Sequence, residues 1–179
     1  MKGLVFTEFL EMVEEAYGYR MVDSLLTDAD LPSGVIYTKV GTYDHQEMFN
    51  LVYHLSDKTG HSTDELLRTY GRYIFSSFIR LYPQFINEDA DALSFLESIE
   101  HYIHVEVRKL YPEAELPTFQ SQRPEPNSLE LIYSSERKMG DFAHGIIEVC
   151  LQHFDYAGSV GMQKISDDGS TVKFLIQPN

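Results

Sequence analysis

The chain has 179 residues, 43% of them hydrophobic and 13% aromatic, which suits one folded domain with a sizeable buried core. Acidic residues outnumber basic ones 28 to 14, and a formal charge of −14 repels phosphate backbones and anionic lipid, so neither nucleic acid nor a membrane is expected as a partner. No apolar run nears the roughly 20 residues of a membrane span, and the start lacks a signal peptide's long apolar stretch, so a cytoplasmic location is expected. Cys150 is the lone cysteine, which excludes an internal disulfide and a cysteine-rich zinc site.

Residues 1 to about 114 read as almost wholly helical. Phe6, Phe9, Leu10, Val13 and Tyr17 recur at helical spacing, and Gly18 stands where such a helix ends. A short helix is predicted over 20–28, a loop over 30–43, and helices over 44–58, 62–82 and 89–110, broken near Gly60 and Pro83. After Pro117 the texture changes. Ser128–Ser135, Gly158–Ile165 and Thr171–Ile176 read as strands, with Asp167-Asp168-Gly169 a hairpin signal between the last two. Met139–Phe154 keeps helical spacing through Phe142, Ile146, Ile147, Cys150 and Phe154. The predicted class is α+β: a helical layer, then a small antiparallel sheet carrying one long helix. The whole of 1–179 is read as one domain.

On a wheel of about 100° per residue, Phe95, Leu96, Ile99, Ile103, Val107 and Leu110 form one apolar arc of the helix at 89–110. His104 lies at the edge of that arc, and His101 falls on the polar side. A histidine there fits either a hydrogen-bonded core residue or a metal ligand. Glu97, Glu100, His101 and His104 also have the spacing of a carboxylate–histidine metal site. A bundle-type di-iron centre needs a second Glu-x-x-His on another helix, and none is present.

The second signal is Tyr133-Ser134-Ser135-Glu136-Arg137. Residues two apart in an extended chain share a face, so Tyr133, Ser135 and Arg137 offer two hydroxyls and a guanidinium in a row. Such a row fits paired carboxylates, one held bidentately by arginine. Taken alone, it reads more simply as a polar strand edge with Arg137 in solvent.

Together these residues resemble the H-NOX family, which binds haem and senses nitric oxide or oxygen. Its Tyr-x-Ser-x-Arg signature is intact here at Tyr133, Ser135 and Arg137, and the resemblance implies that they grip the haem propionates. The family's proximal histidine matches His104, which Tyr111-Pro112 follows, and Pro117 matches the proline that packs on the porphyrin. Met1-Lys2-Gly3, Tyr17-Gly18, Gly71-Arg72 and Phe78 are also similar to the family's pattern. The resemblance implies haem b as cofactor, with 1–60 a distal part and 61–179 the proximal helices and sheet. Phe9, Ile74, Phe78, Phe142 and Ile146 are expected in the haem pocket.

Oxygen-binding members carry a distal tyrosine where this chain has Phe142, and a polar side chain can stand in them where it has Ile74. The resemblance therefore implies a sensor of nitric oxide, with carbon monoxide a further ligand. Regulation of a separate histidine kinase or cyclic-di-GMP enzyme is expected. The alternatives are an oxygen-binding haem protein or a haem enzyme, and a non-haem interaction domain that kept the fold. No nucleophile–base pair or phosphate-binding glycine loop is evident, so the chain is not expected to be an enzyme itself. Cys150, among helical apolar neighbours, reads as a core residue.

Overall fold

Apolar spacing and strong end signals set the helices of the N-terminal half. The computed structural model describes every residue except Asp30, Val35, Glu88 and Asp89. Helix α1 covers Gly3–Tyr17, and Gly18 at φ 82° turns the chain directly into α2, Tyr19–Asp28. Helix α3, His45–Thr59, starts at Asp44, whose carboxylate accepts from the Gln46 N–H at 2.9 Å. Helix α4, Thr63–Leu81, starts in a capping box of Ser62 and Glu65. The loop predicted over 30–43 is pinned to α3 by buried Glu47, which accepts from the Ser33 and Tyr37 hydroxyls, each at 2.6 Å. Two residues of that loop, Asp30 and Val35, lie outside the described residues.

The helix predicted over 89–110 is not continuous. It divides into α5, Ala92–Ser98, a π-helical turn at Ile99–Ile103, and α6, His104–Leu110. Asp91 caps α5 by accepting from the Ser94 N–H at 2.8 Å, so the helix begins after residue 91, and residue 89 lies outside the described residues.

Four antiparallel strands follow: β1 (Thr118–Gln122), β2 (Leu129–Ser134), β3 (Gly158–Lys164) and β4 (Thr171–Pro178), in the order β1-β2-β4-β3. Strand β1 was not predicted. Helix α7, Gly140–His153, joins β2 to β3. The pairs Leu129–Ile176, Leu131–Phe174 and Tyr133–Val172 put six buried side chains on one sheet face. Ala143, Ile147, Cys150 and Leu151 of α7 join them in one cluster. A second cluster fills the space among α1, α2, α3 and α4. Helix α4 belongs to both, contributing Ile74 to the helical cluster and Phe75 to the sheet-side one.

Helices α4 and α7 cross closely because both carry glycine at the contact. A Cβ on Gly71 would lie 2.1 Å from the Phe142 carbonyl oxygen, and one on Gly145 would lie 2.0 Å from that of Arg68. Buried Cys150 packs in the sheet-side cluster, and burial pushes its thiol well above the ordinary range. No helix among the described residues is long and apolar enough to cross a membrane.

Candidate functional site

A cavity of about 700 Å³, within the size range of cofactor sites, opens between the two clusters. Helices α1, α4 and α7 supply Leu4, Val5, Phe75, Phe78, Phe142 and Ile146 to its wall. The α5–α6 segment supplies Phe95, Ile99, Ile103, His104 and Val107, and the sheet side adds Pro117, Phe119 and Tyr133. The lining is predominantly apolar.

His104 is buried and His101 exposed, as the helical wheel predicts. Burial holds the His104 imidazole below its ordinary pKa, against the pull of Glu100, and so favours the neutral ring. Its Nδ1 meets Glu100 Oε2 at 3.2 Å. The neutral ring that donates from Nδ1 leaves the Nε2 lone pair available on a residue that lines the cavity. Glu97, Glu100, His101 and His104 do not converge: no group of three or more potential metal-ligating side chains occurs among the described residues.

Strand β2 stops at Ser134, so Ser135 and Arg137 do not continue an extended face as expected. The chain turns, with Ser135 Oγ accepting from the Arg137 N–H at 3.2 Å and Lys138 at positive φ. Tyr133, Ser135 and Arg137 nonetheless line the same cavity. Burial pushes the Tyr133 phenol up, against hydrogen bonding to Ser135 and to the backbone at Met139. Arg137 donates to the Glu115 carbonyl at 2.9 Å and to Glu115 Oε2 at 2.7 Å. Glu115 thus occupies, with its carbonyl and one carboxylate oxygen, the fork that a ligand carboxylate would take, while its side chain is 84% exposed.

Phe78, Phe142, Ile146 and Pro117 stand on the cavity wall, but Phe9 and Ile74 do not. Both are fully buried in the helical cluster. Phe9 meets the edge of Tyr70, which packs in turn on Phe142, so it lies one layer behind the wall, and Val5 reaches the cavity in its place. Sequence reasoning also missed Phe119 and the contact from Glu100 to His104, although the four-residue spacing of that pair was visible.

Several tyrosine hydroxyls near the cavity have hydrogen-bond partners. Tyr70 donates to the Val5 carbonyl, Tyr82 and Tyr111 share a bond of 2.9 Å, and Tyr43 accepts from the Thr38 N–H at 2.8 Å. A neutral imidazole, an apolar slot and an arginine with two hydroxyls at one end suit haem: a flat apolar ring, an iron needing a nitrogen ligand, and two carboxylates.

The profile of the Haem-NO-binding family, HNOB, matches residues 2–161. The chain is similar to the Fe(II) unliganded H-NOX protein from K. algicida, at 44% identity and a TM-score of 0.95, covering 100% of this chain and 97% of that one. It is similar also to the H-NOX from Shewanella woodyi, solved bound to IWP-051 in the Fe(II)CO ligation state. That match has 38% identity and a TM-score of 0.84, covering 100% and 95% of the two chains. An H-NOX protein from S. oneidensis in the Fe(II)NO ligation state shares the fold at 24% identity and a TM-score of 0.89, covering 100% of this chain and 99% of that one. No curated protein matches the chain. By profile, by whole-length similarity and by a fold that gathers the expected donors on one apolar cavity, this chain belongs to the Haem-NO-binding (H-NOX) family of haem-based gas-sensing domains.

Proposed function

We propose that this protein is a haem-based nitric oxide sensor that acts as one unit over residues 1–179 and is not itself an enzyme. Haem b is the cofactor, held at the iron by Nε2 of His104. Tyr133, Ser135 and Arg137 hold its propionates, with Arg137 exchanging the Glu115 carboxylate for one of them. Pro117, Phe78, Phe142 and Ile146 pack on the ring, while Phe9 and Ile74 support the distal wall from behind. When bound, haem would supply a ferrous iron able to take a diatomic ligand, nitric oxide or carbon monoxide. The observation that carries this reading is the buried His104, its Nδ1 committed to Glu100, on the wall of an apolar cavity.

Selectivity against oxygen follows from what the distal residues lack. Stable oxygen binding depends on a nearby hydrogen-bond donor. The side chains of Val5, Phe78, Phe142 and Ile146 offer none, and the Tyr70 hydroxyl behind Phe142 is spent on the Val5 carbonyl. His104, which would hold the iron, starts α6 and packs on Phe119 of β1, so a change at the iron would pass to the sheet edge as a shift of α6, a two-state element that another protein would read. The proposed partner is a separate histidine kinase or cyclic-di-GMP enzyme in the cytoplasm.

Exposing the reduced protein separately to nitric oxide and to air tests this reading. The expected result is an intense Soret band that shifts with nitric oxide, with no stable oxygen complex in air. A stable oxygen complex would favour an oxygen-binding haem protein and overturn the selectivity. The lack of any Soret band after loading with haem would overturn the haem assignment.

A further inference from the structure

The residue behind His104 carries more than a packing contact. One oxygen of Glu100, Oε2, lies 3.2 Å from His104 Nδ1 and accepts from the Phe119 backbone N–H at 3.0 Å. The other, Oε1, stands 3.7 Å from the Arg108 guanidinium. Glu100 sits inside the π-helical turn, whose extra residue per turn ends where the His104 N–H reaches back to the Ile99 carbonyl. A single half-buried carboxylate therefore joins the imidazole to the backbone of β1.

We infer that Glu100 is a positioning residue for His104: it holds the ring as the Nδ1–H tautomer, aims Nε2 at the cavity, and strengthens electron donation from Nε2 to a bound iron. The inference rests on the haem reading only in its last clause. An anionic acceptor behind an imidazole fixes ring orientation and raises its strength as a ligand, and loss of such a partner typically weakens metal binding by roughly 10- to 100-fold. Because Phe119 shares the same oxygen, a displacement of His104 is also felt at the first strand of the sheet.

Two substitutions separate orientation from charge. Glu100→Gln keeps an acceptor oxygen and loses the charge, while Glu100→Ala loses both. In haem-free protein, nitrogen-detected NMR of the histidine rings is expected to find His104 as the Nδ1–H tautomer in the wild type and in Glu100→Gln. Glu100→Ala is expected to mix the two tautomers. This arm needs no haem, so it stands or falls apart from the haem reading. A wild-type ring protonated at Nε2, or a tautomer indifferent to Glu100→Ala, would overturn the inference.

In haem-loaded protein, the iron–histidine stretching frequency is expected to fall and the reduction potential to rise in Glu100→Gln, and further in Glu100→Ala. An unchanged frequency and potential in both variants would overturn the electronic role. If Glu100→Ala does not fold, Glu100→Gln still decides this arm, and the tautomer of the wild type decides the other.

Discussion

At Arg137 the guanidinium is largely buried and bound by a carboxylate that is itself almost wholly in solvent. An exposed partner contributes little to stability, so Glu115 is readily displaced by a ligand carboxylate that brings its own apolar body into the cavity. A charge-assisted hydrogen bond contributes about 1.5–3 kcal/mol and a neutral hydroxyl bond about 1 kcal/mol. Arg137→Ala is therefore expected to speed haem loss to a scavenging acceptor by roughly tenfold or more, and Ser135→Ala by about fivefold. Equal loss rates for the wild type and both variants would remove these residues from the propionate site. The sequence motif places these three residues together even though the strand expected to align them ends at Ser134. The turn does that work instead, and its geometry depends on the Ser135 side chain and on a positive φ at Lys138, which alternation of residue types does not encode.

Among the elements, the crossing of α4 and α7 does most to shape the distal wall, since it sets where Phe142 and Ile146 stand relative to Phe75 and Phe78. Glu148 braces it from the solvent side. Burial raises its pKa, but hydrogen bonds from Arg68 and Arg72 outweigh that and hold the carboxyl down at about 2. Gly145→Ala forces a methyl group into the Arg68 backbone and is expected to cost about 1–3 kcal/mol, read as a lower denaturant midpoint at unchanged slope. A wild-type midpoint would show that the crossing relaxes freely. The helices on either side of this crossing were legible from periodicity and caps, as were β2, β3 and β4. Strand β1 was not, because in Thr118–Gln122 only Phe119 is apolar and the strand exists through its ladder with β2. The π turn was equally hidden. One extra residue in a turn leaves the apolar arc on either side almost intact, so His104 fell on the right face while the break before it did not register.

Over the whole molecule, the helical cluster and the sheet-side cluster each bury their own apolar faces, and the cavity between them is bounded by α1, α4 and α7, by the α5–α6 segment, and by the sheet edge. Sequence reasoning reached this layout through the family's motif and through the change of texture after Pro117. It set Phe9 and Ile74 on the wall because the family pattern gives positions along a helix, whereas burial depth depends on how α1 and α4 pack around Tyr70. Whether this cavity holds haem through His104 is decided by the ferrous absorption spectrum of His104→Gly, with and without added imidazole. The variant is expected to retain haem poorly alone and to regain the wild-type spectrum with imidazole, while His101→Ala is expected to be indistinguishable from wild type. A wild-type spectrum from His104→Gly without imidazole, or loss of it in His101→Ala, would contradict that role for His104.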